Sequence, residues 1–166
     1  MAVHRIPILN SVLPDTSGNV FPESYATKAT NDVWQNSIWV FNDTDTRLLL
    51  YGSFAVPKNY VGTAKVIIVW TSTATSGDVI WDFDYRGVGS NDSESLDQAG
   101  VQEAVTVTDT APGATDRRLE VSIDLTSANL AADDTVTFLF GRDGTASDTM
   151  AAAAILFDLL LEYADS

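Results

Sequence analysis

The sequence predicts an antiparallel all-β fold, a sandwich or barrel, on three observations. The stretch from Ala64 to Arg86 holds two runs, A-K-V-I-I-V-W and V-I-W-D-F-D-Y-R, joined by the polar turn T-S-T-A-T-S-G-D. In the second run Val79, Trp81, Phe83 and Tyr85 alternate with Ile80, Asp82, Asp84 and Arg86, which places the aromatics on one strand face. Further short runs rich in Val, Ile, Thr and aromatic residues recur along the chain, separated by Gly, Pro, Asn, Asp and Ser clusters. Together they describe a sheet with a covered inner face.

Taken in order, residues 1–25 read as an extended N-terminal arm, and residues 26–166 as a single β-sandwich domain. Pro7, Pro14 and Pro22 prevent a helix in the arm, and D-T-S-G-N at 15–19 is a turn. Val3, Ile6, Ile8, Leu9, Val12 and Leu13 make the arm too apolar for a free tail. It is expected to pair with its own sheet, the alternative being a neighbouring subunit. Strands are expected at 36–42, 46–56, 63–72, 78–87, 101–108, 117–125 and 134–142, with 64–86 forming a hairpin. Residues 127–134 read as a loop or one helical turn. The last run, A-A-A-A-I-L-F-D-L-L-L-E-Y, fits a helical stripe and a strand face equally well. Helix propensity favours the former, but an all-β pattern needs a strand to cover its apolar edge, so a closing strand is expected.

Composition bounds the function. The chain has 166 residues, 45% of them hydrophobic, which suffices for one cored domain. Nine basic against 23 acidic residues give a net charge of −14, which repels phosphate backbones and anionic headgroups. Neither nucleic acid nor membrane is expected as a partner. The chain contains no cysteine, so disulfide and thiolate chemistry are excluded. No run approaches the length of a membrane span or signal peptide, since Ala151–Leu161 is short and interrupted by Asp158.

Chemistry-bearing motifs are few, and no catalytic, cofactor or metal residues are assigned. The single histidine, His4, lies in the arm, where a catalytic base would be poorly positioned. Asp82 and Asp84 share a strand face at a separation compatible with paired acid–base carboxylates. The plainer expectation is a solvated face with a local ion pair, and Glu120 and Asp124 read the same way. The loop R-D-G-T-A-S-D at 142–148 could offer oxygens to calcium but lacks the EF-hand pattern, and a hydrogen-bonded turn is expected. Gly87-Val88-Gly89 lacks the third glycine of a phosphate-binding loop. Trp39, Trp70 and Trp81 lie within apolar runs and are expected in the core. Tyr25, Trp34 and Tyr60 lie in flanking or loop contexts, as an exposed platform for a sugar face or anchors for a protein partner. With Ile6, Ile8, Leu9, Val12 and Leu13 of the arm, they form the candidate partner-binding set.

Several stretches, L-P-D-T-S-G-N-V-F-P (13–22), F-A-V-P-K-N-Y-V-G (54–62), residues 66–86 and residues 141–163, resemble a family of small all-β virion structural proteins of tailed bacteriophages. The resemblance implies a jelly-roll β-sandwich and a capsid decoration, or cement, protein. Such a protein would bind the major capsid protein on the outside of the phage head, self-associate as a homotrimer, and use no cofactor. It would fold in the host bacterial cytoplasm and reside on the virion. The alternative is a carbohydrate-binding or receptor-binding β-sandwich, free-standing or in a phage tail or fibre, with a surface glycan as ligand. A glycosidase built on Asp82 and Asp84 is the third possibility.

Overall fold

A computed structural model describes the chain apart from residues 27–34, 90–92, 98–99, 146 and 166; for residues 24–26 and 35 the backbone alone is described. Its elements are β1 (Val3–Pro7), β2 (Leu13–Pro14), β3 (Val20–Ala26), β4 (Gln35–Phe41), β5 (Arg47–Ala55), β6 (Tyr60–Ser72), β7 (Asp78–Val88), β8 (Glu103–Thr110), β9 (Leu119–Leu125), a 3-10 turn at Ser127–Asn129, β10 (Thr135–Asp143) and β11 (Ala154–Asp165). They form a jelly-roll-like sandwich of two antiparallel sheets. One runs β3-β4-β11-β6-β9, with β1 added against β11, and the other runs β2-β5-β10-β7-β8. The seven runs expected between residues 36 and 142 are strands β4 to β10.

The arm pairs with its own sheets, because its alternating apolar residues continue the inner face. β1 lies antiparallel to β11, with Arg5 opposite Glu162 and Ile6 opposite Leu161. β2 then joins the other sheet, where Leu13 faces Tyr51, and β3 returns to pair with β4. A carboxylate fixes the crossing: Asp15 accepts hydrogen bonds from the Leu49 and Ser17 amides at 2.9 and 2.8 Å.

The 64–86 stretch is not a hairpin. β6 pairs with β11 and β9, whereas β7 pairs with β10 and β8, so the turn between them crosses from one sheet to the other. Both runs are apolar on the face toward the core, and burying both is best met by opposing them. Trp70 and Trp81 therefore meet edge-to-face, centroids 5.7 Å apart. Trp81 also stacks on Phe140 at 5.2 Å and meets the edge of Phe41 at 5.5 Å. Trp39 is half-buried and packs against this core.

The closing segment is a strand, as expected, and its sequence ambiguity has a structural cause. Leu156 and Leu159 both point into the core, although they are three residues apart. A β-bulge between Leu156 and Asp158 inserts one residue and reverses the face of everything after it. The helix-like spacing of the leucines is the imprint of that bulge. Beyond it, Leu159, Leu161 and Tyr163 continue the core face.

Candidate functional site

The outer face of the five-stranded sheet carries the features that can meet a ligand. On β5 the parity that buries Leu48 and Leu50 turns Arg47, Leu49 and Tyr51 outward. Register then aligns Leu13, Tyr51, Leu139, Asp84 and Ala104 in one row across β2, β5, β10, β7 and β8. At strand spacing, the row spans about 19 Å. A depression of about 340 Å³ opens on it, lined by Tyr51, Asp84, Arg86, Thr137 and Leu139 together with Leu96 and Val101. Tyr51 (44% exposed) and Leu96 (69%) are large side chains left open to solvent in it, and Leu13 (71%), opposite Tyr51 in register, is open as well.

Beside the depression lies a charged triad. Arg47 donates Nε to Asp82 Oδ2 at 2.6 Å and Nη2 to Asp84 Oδ2 at 2.7 Å. β10 stands between β5 and β7, so Arg47 has to cross it. It can because Gly141 occupies the intervening row, opposite both Leu49 and Asp82. A Cβ on Gly141 would lie 2.0 Å from the Leu48 carbonyl oxygen and 2.8 Å from Leu49 Cδ2. Burial opposes the Arg47 charge, but the hydrogen bonds to Asp84 and Asp82 outweigh it and hold the guanidinium more firmly protonated than usual. Burial pushes the Asp82 carboxyl up, and Arg47 offsets only part of that.

This corrects the solvated-face expectation for Asp82 and Asp84, which are 3% and 8% exposed. Their ion partner is Arg47, contributed by another strand, and Arg86 instead donates to the Gly100 carbonyl at 3.3 Å. The burial has a physical cause in the guanidinium laid over the two carboxylates. One guanidinium bridging both also makes a poor acid–base couple, since neither carboxylate is free of it.

The candidate partner-binding residues do not form one surface. Ile8 is buried in the core and Ile6, Leu9 and Val12 pack against it, because the arm is built into the sheets. Leu13 alone of the arm set is fully open, and it lies opposite Tyr51 in register. Tyr60 is corrected as well. It is the first residue of β6, 8% exposed and within the core cluster, so it offers no platform. Burial raises its phenol above the usual range. Tyr25 is placed only by its backbone, opposite Asn36 in β3, and Trp34 lies outside the described residues. The sequence reading missed Tyr51, Leu96 and Val101. For Tyr51 the signal was available in L-L-L-Y, where an aromatic takes the outward parity of a strand.

Three further polar clusters are structural. Arg142, 1% exposed, points inward at one end of the sandwich. Its Nε and Nη2 hold both oxygens of Asp148 at 2.7 and 2.8 Å, while Nη1 reaches the Ala152 carbonyl at 2.7 Å and Nη2 the Met150 carbonyl at 2.6 Å. The loop considered for calcium is thus organised by a guanidinium, with Asp148 committed to it. At the other end, Tyr85 donates to Glu103, which also accepts from the Thr126 hydroxyl at 2.6 Å and Asn129 at 3.2 Å. Burial, then the bond to Glu103, raises the Tyr85 phenol well above its usual range. His4 stacks on Tyr163 and bonds Asp165 at 2.8 Å, securing β1. Among the described residues, no group of three or more His, Cys, Asp or Glu is arranged to hold a metal ion.

No protein-family model and no curated protein sequence matches the chain. Solved structures do match in fold. A family 35 carbohydrate-binding module from Clostridium thermocellum superposes with a TM-score of 0.54 at 10% identity, covering 99% of each chain. The C-terminal family 6 module of a marine laminarinase from Zobellia galactanivorans gives 0.54 at 10% identity, over 98% of this chain and 100% of that one. A family 35 module from Cellvibrio japonicus gives 0.57 at 11%, over 99% and 95%. The chain shares the β-sandwich fold of these modules.

Proposed function

We propose that this chain is a carbohydrate-binding β-sandwich module whose binding face is the outer surface of the five-stranded sheet. One observation carries the proposal: an exposed aromatic ring, Tyr51, stands at a depression that also presents a carboxylate, Asp84, and a guanidinium, Arg86. A pyranose ring has an apolar C–H face and a rim of hydroxyls. A tyrosine ring can cover the first, and charged donors and acceptors can satisfy the second. A concave site with an apolar wall and few polar groups is the usual form of a small-ligand site. The fold of the neighbouring structures supports the same reading. It is also compatible with the phage resemblance, because a receptor-binding position on a tail or fibre needs a glycan site and no capsid.

The test is binding of the wild-type chain and Tyr51→Ala to an immobilised glycan panel. The expected result is retention on at least one glycan, weakened about ten-fold or more by the substitution, with an unchanged thermal melt. Retention on no glycan would remove the proposal.

A further inference from the structure

Two neighbouring rows of the outer face differ in chemistry. Leu13, Tyr51, Leu139, Asp84 and Ala104 follow one another in register across all five strands. Two residues along the strands, about 7 Å away, Ser53, Thr137 and Arg86 form the adjacent row. The first row is apolar over β2, β5 and β10. The second offers a guanidinium and two hydroxyls, with Ser53 and Thr137 both exposed. An extended ligand with apolar ring faces and a hydroxyl edge meets both rows at once only when its axis follows them.

The flanks give the same direction. Arg47 crosses β10 to reach Asp82 and Asp84, so its side chain lies across the strands on the Gly141 side of the Tyr51 row. A ligand lying along the strands runs into that side chain, whereas one lying across them passes beside it. The other flank is the connection between β7 and β8, whose Gly100 carbonyl accepts from Arg86 at 3.3 Å and whose Leu96 and Val101 line the depression. The two ends of the row are open: Leu13 on edge strand β2 is 71% exposed, and Ala104 on edge strand β8 is exposed. Neither lines the depression, so the row runs past it at both ends. The depression, about 340 Å³, lies at the low end of small-ligand sites, about 300–1,000 Å³. The row itself, about 19 Å at strand spacing, is longer than a disaccharide.

From this placement we infer that the face is a track running across the strands, which takes the interior of an unbranched glycan longer than a disaccharide. Tyr51 and Leu139 meet ring faces in the middle, and Leu13 extends that contact past the depression. Ser53 and Thr137 meet the hydroxyl edge. This rests on the glycan-binding reading above.

The experiment titrates the full chain with linear xylo-, manno-, gluco- and galacto-oligosaccharides, from disaccharide to hexasaccharide. The parent polysaccharides are titrated before and after borohydride reduction of their chain ends. At least one series is expected to bind, the hexasaccharide about ten-fold or more tighter than the disaccharide, with the polysaccharide indifferent to reduction. Leu13→Ala should cut that gain about three-fold or more, in a variant whose melting curve matches the wild type because the side chain is exposed. A disaccharide bound as tightly as the hexasaccharide, or a gain that Leu13→Ala leaves whole, would overturn this inference and leave the glycan-binding reading standing. Retention on the glycan panel with none of the linear series bound would do the same. No binding to any glycan would bring down that reading and this inference together.

Discussion

Arg47 reaches across an entire strand to Asp82, its Nε 2.6 Å from the carboxylate, and the strand it crosses has glycine at the crossing row. A side chain, its counter-charge and an absent side chain thus form one device. It holds the polar floor beside the proposed sugar face.

Gly141→Ala tests the crossing. The added methyl would meet backbone at 2.0 Å, which no rotamer change relieves. Urea unfolding should show a loss of about 1–3 kcal/mol or more. An unchanged midpoint would mean that the strands separate easily at this point.

Arg47→Met tests the counter-charge. The substitution keeps the aliphatic stem but leaves two carboxylates buried without it. Removing one partner of a buried pair costs about 3–5 kcal/mol; with Arg47 about a third exposed, roughly 2–4 kcal/mol is expected after discounting for solvent screening. The Asp82 carboxyl, already raised by burial, should rise further, so the variant's deficit should shrink as pH falls. A deficit that stayed constant from pH 7 to pH 4 would contradict this.

Arg142→Lys tests the buried guanidinium next to Gly141, on the opposite, inner face of β10. Lysine supplies the charge but cannot hold both oxygens of Asp148 and the carbonyls of Met150 and Ala152 together. The melting temperature should fall, and amide exchange should accelerate at Met150, whose N–H is held by Asp148. A wild-type melt and exchange pattern would show that the bidentate geometry is dispensable.

Acid should destabilise the fold. The Arg118 hydrogen bond lowers Glu120, and the His4 hydrogen bond lowers Asp165. Burial pushes Asp15 and Glu103 upward, but the donors around Ser17 and Leu49, and around Thr126 and Tyr85, outweigh it and lower both. For these four the unfolded chain takes up protons first. Their stabilisation is therefore present above about pH 4.5 and is lost as pH falls through the depressed folded values. Asp82 and Asp158, raised by burial, act the other way, since their protonation in the folded state relieves a cost. The four lowered groups are expected to outweigh the two raised ones, giving a net fall in melting temperature below about pH 4. A rise over that range would contradict the balance.

Deleting residues 2–7 should destabilise the chain and promote its association. β1 covers the β11 edge from Leu160 to Ala164, and Arg5 ties it to Glu162 and Glu120 at 2.7 and 2.8 Å. An uncovered edge is a template for another strand. Sedimentation of the truncated chain should show self-association, and a monomer with an unchanged melt would refute it.

Much of the sandwich is legible in the residues because strand parity is local. Val79, Trp81, Phe83 and Tyr85 announce a core face, and the runs that became β4 to β10 announce themselves by composition. The division of β6 and β7 between sheets was not legible, since a turn of that length can serve a hairpin or a crossing. Nor was the bulge at Phe157, where one inserted residue makes a strand imitate a helix. The site was legible only in part. Asp82, Asp84 and Leu13 stood out, but their neighbours Arg47, Tyr51 and Gly141 come from other strands, and only register unites them. Tyr60 misled because its flanking turn suggested exposure, whereas it begins a core strand.

The central claim, that the outer face of the five-stranded sheet holds a sugar, is tested most directly by backbone NMR. The labelled chain would be titrated with a glycan it retains. Shift changes should concentrate at Tyr51, Asp84, Arg86, Gly100, Val101 and Leu139, and leave the outer face of the other sheet, at Lys65, Ile67 and Glu120, undisturbed. Changes centred on that opposite sheet, with Tyr51 and Asp84 silent, would contradict the account.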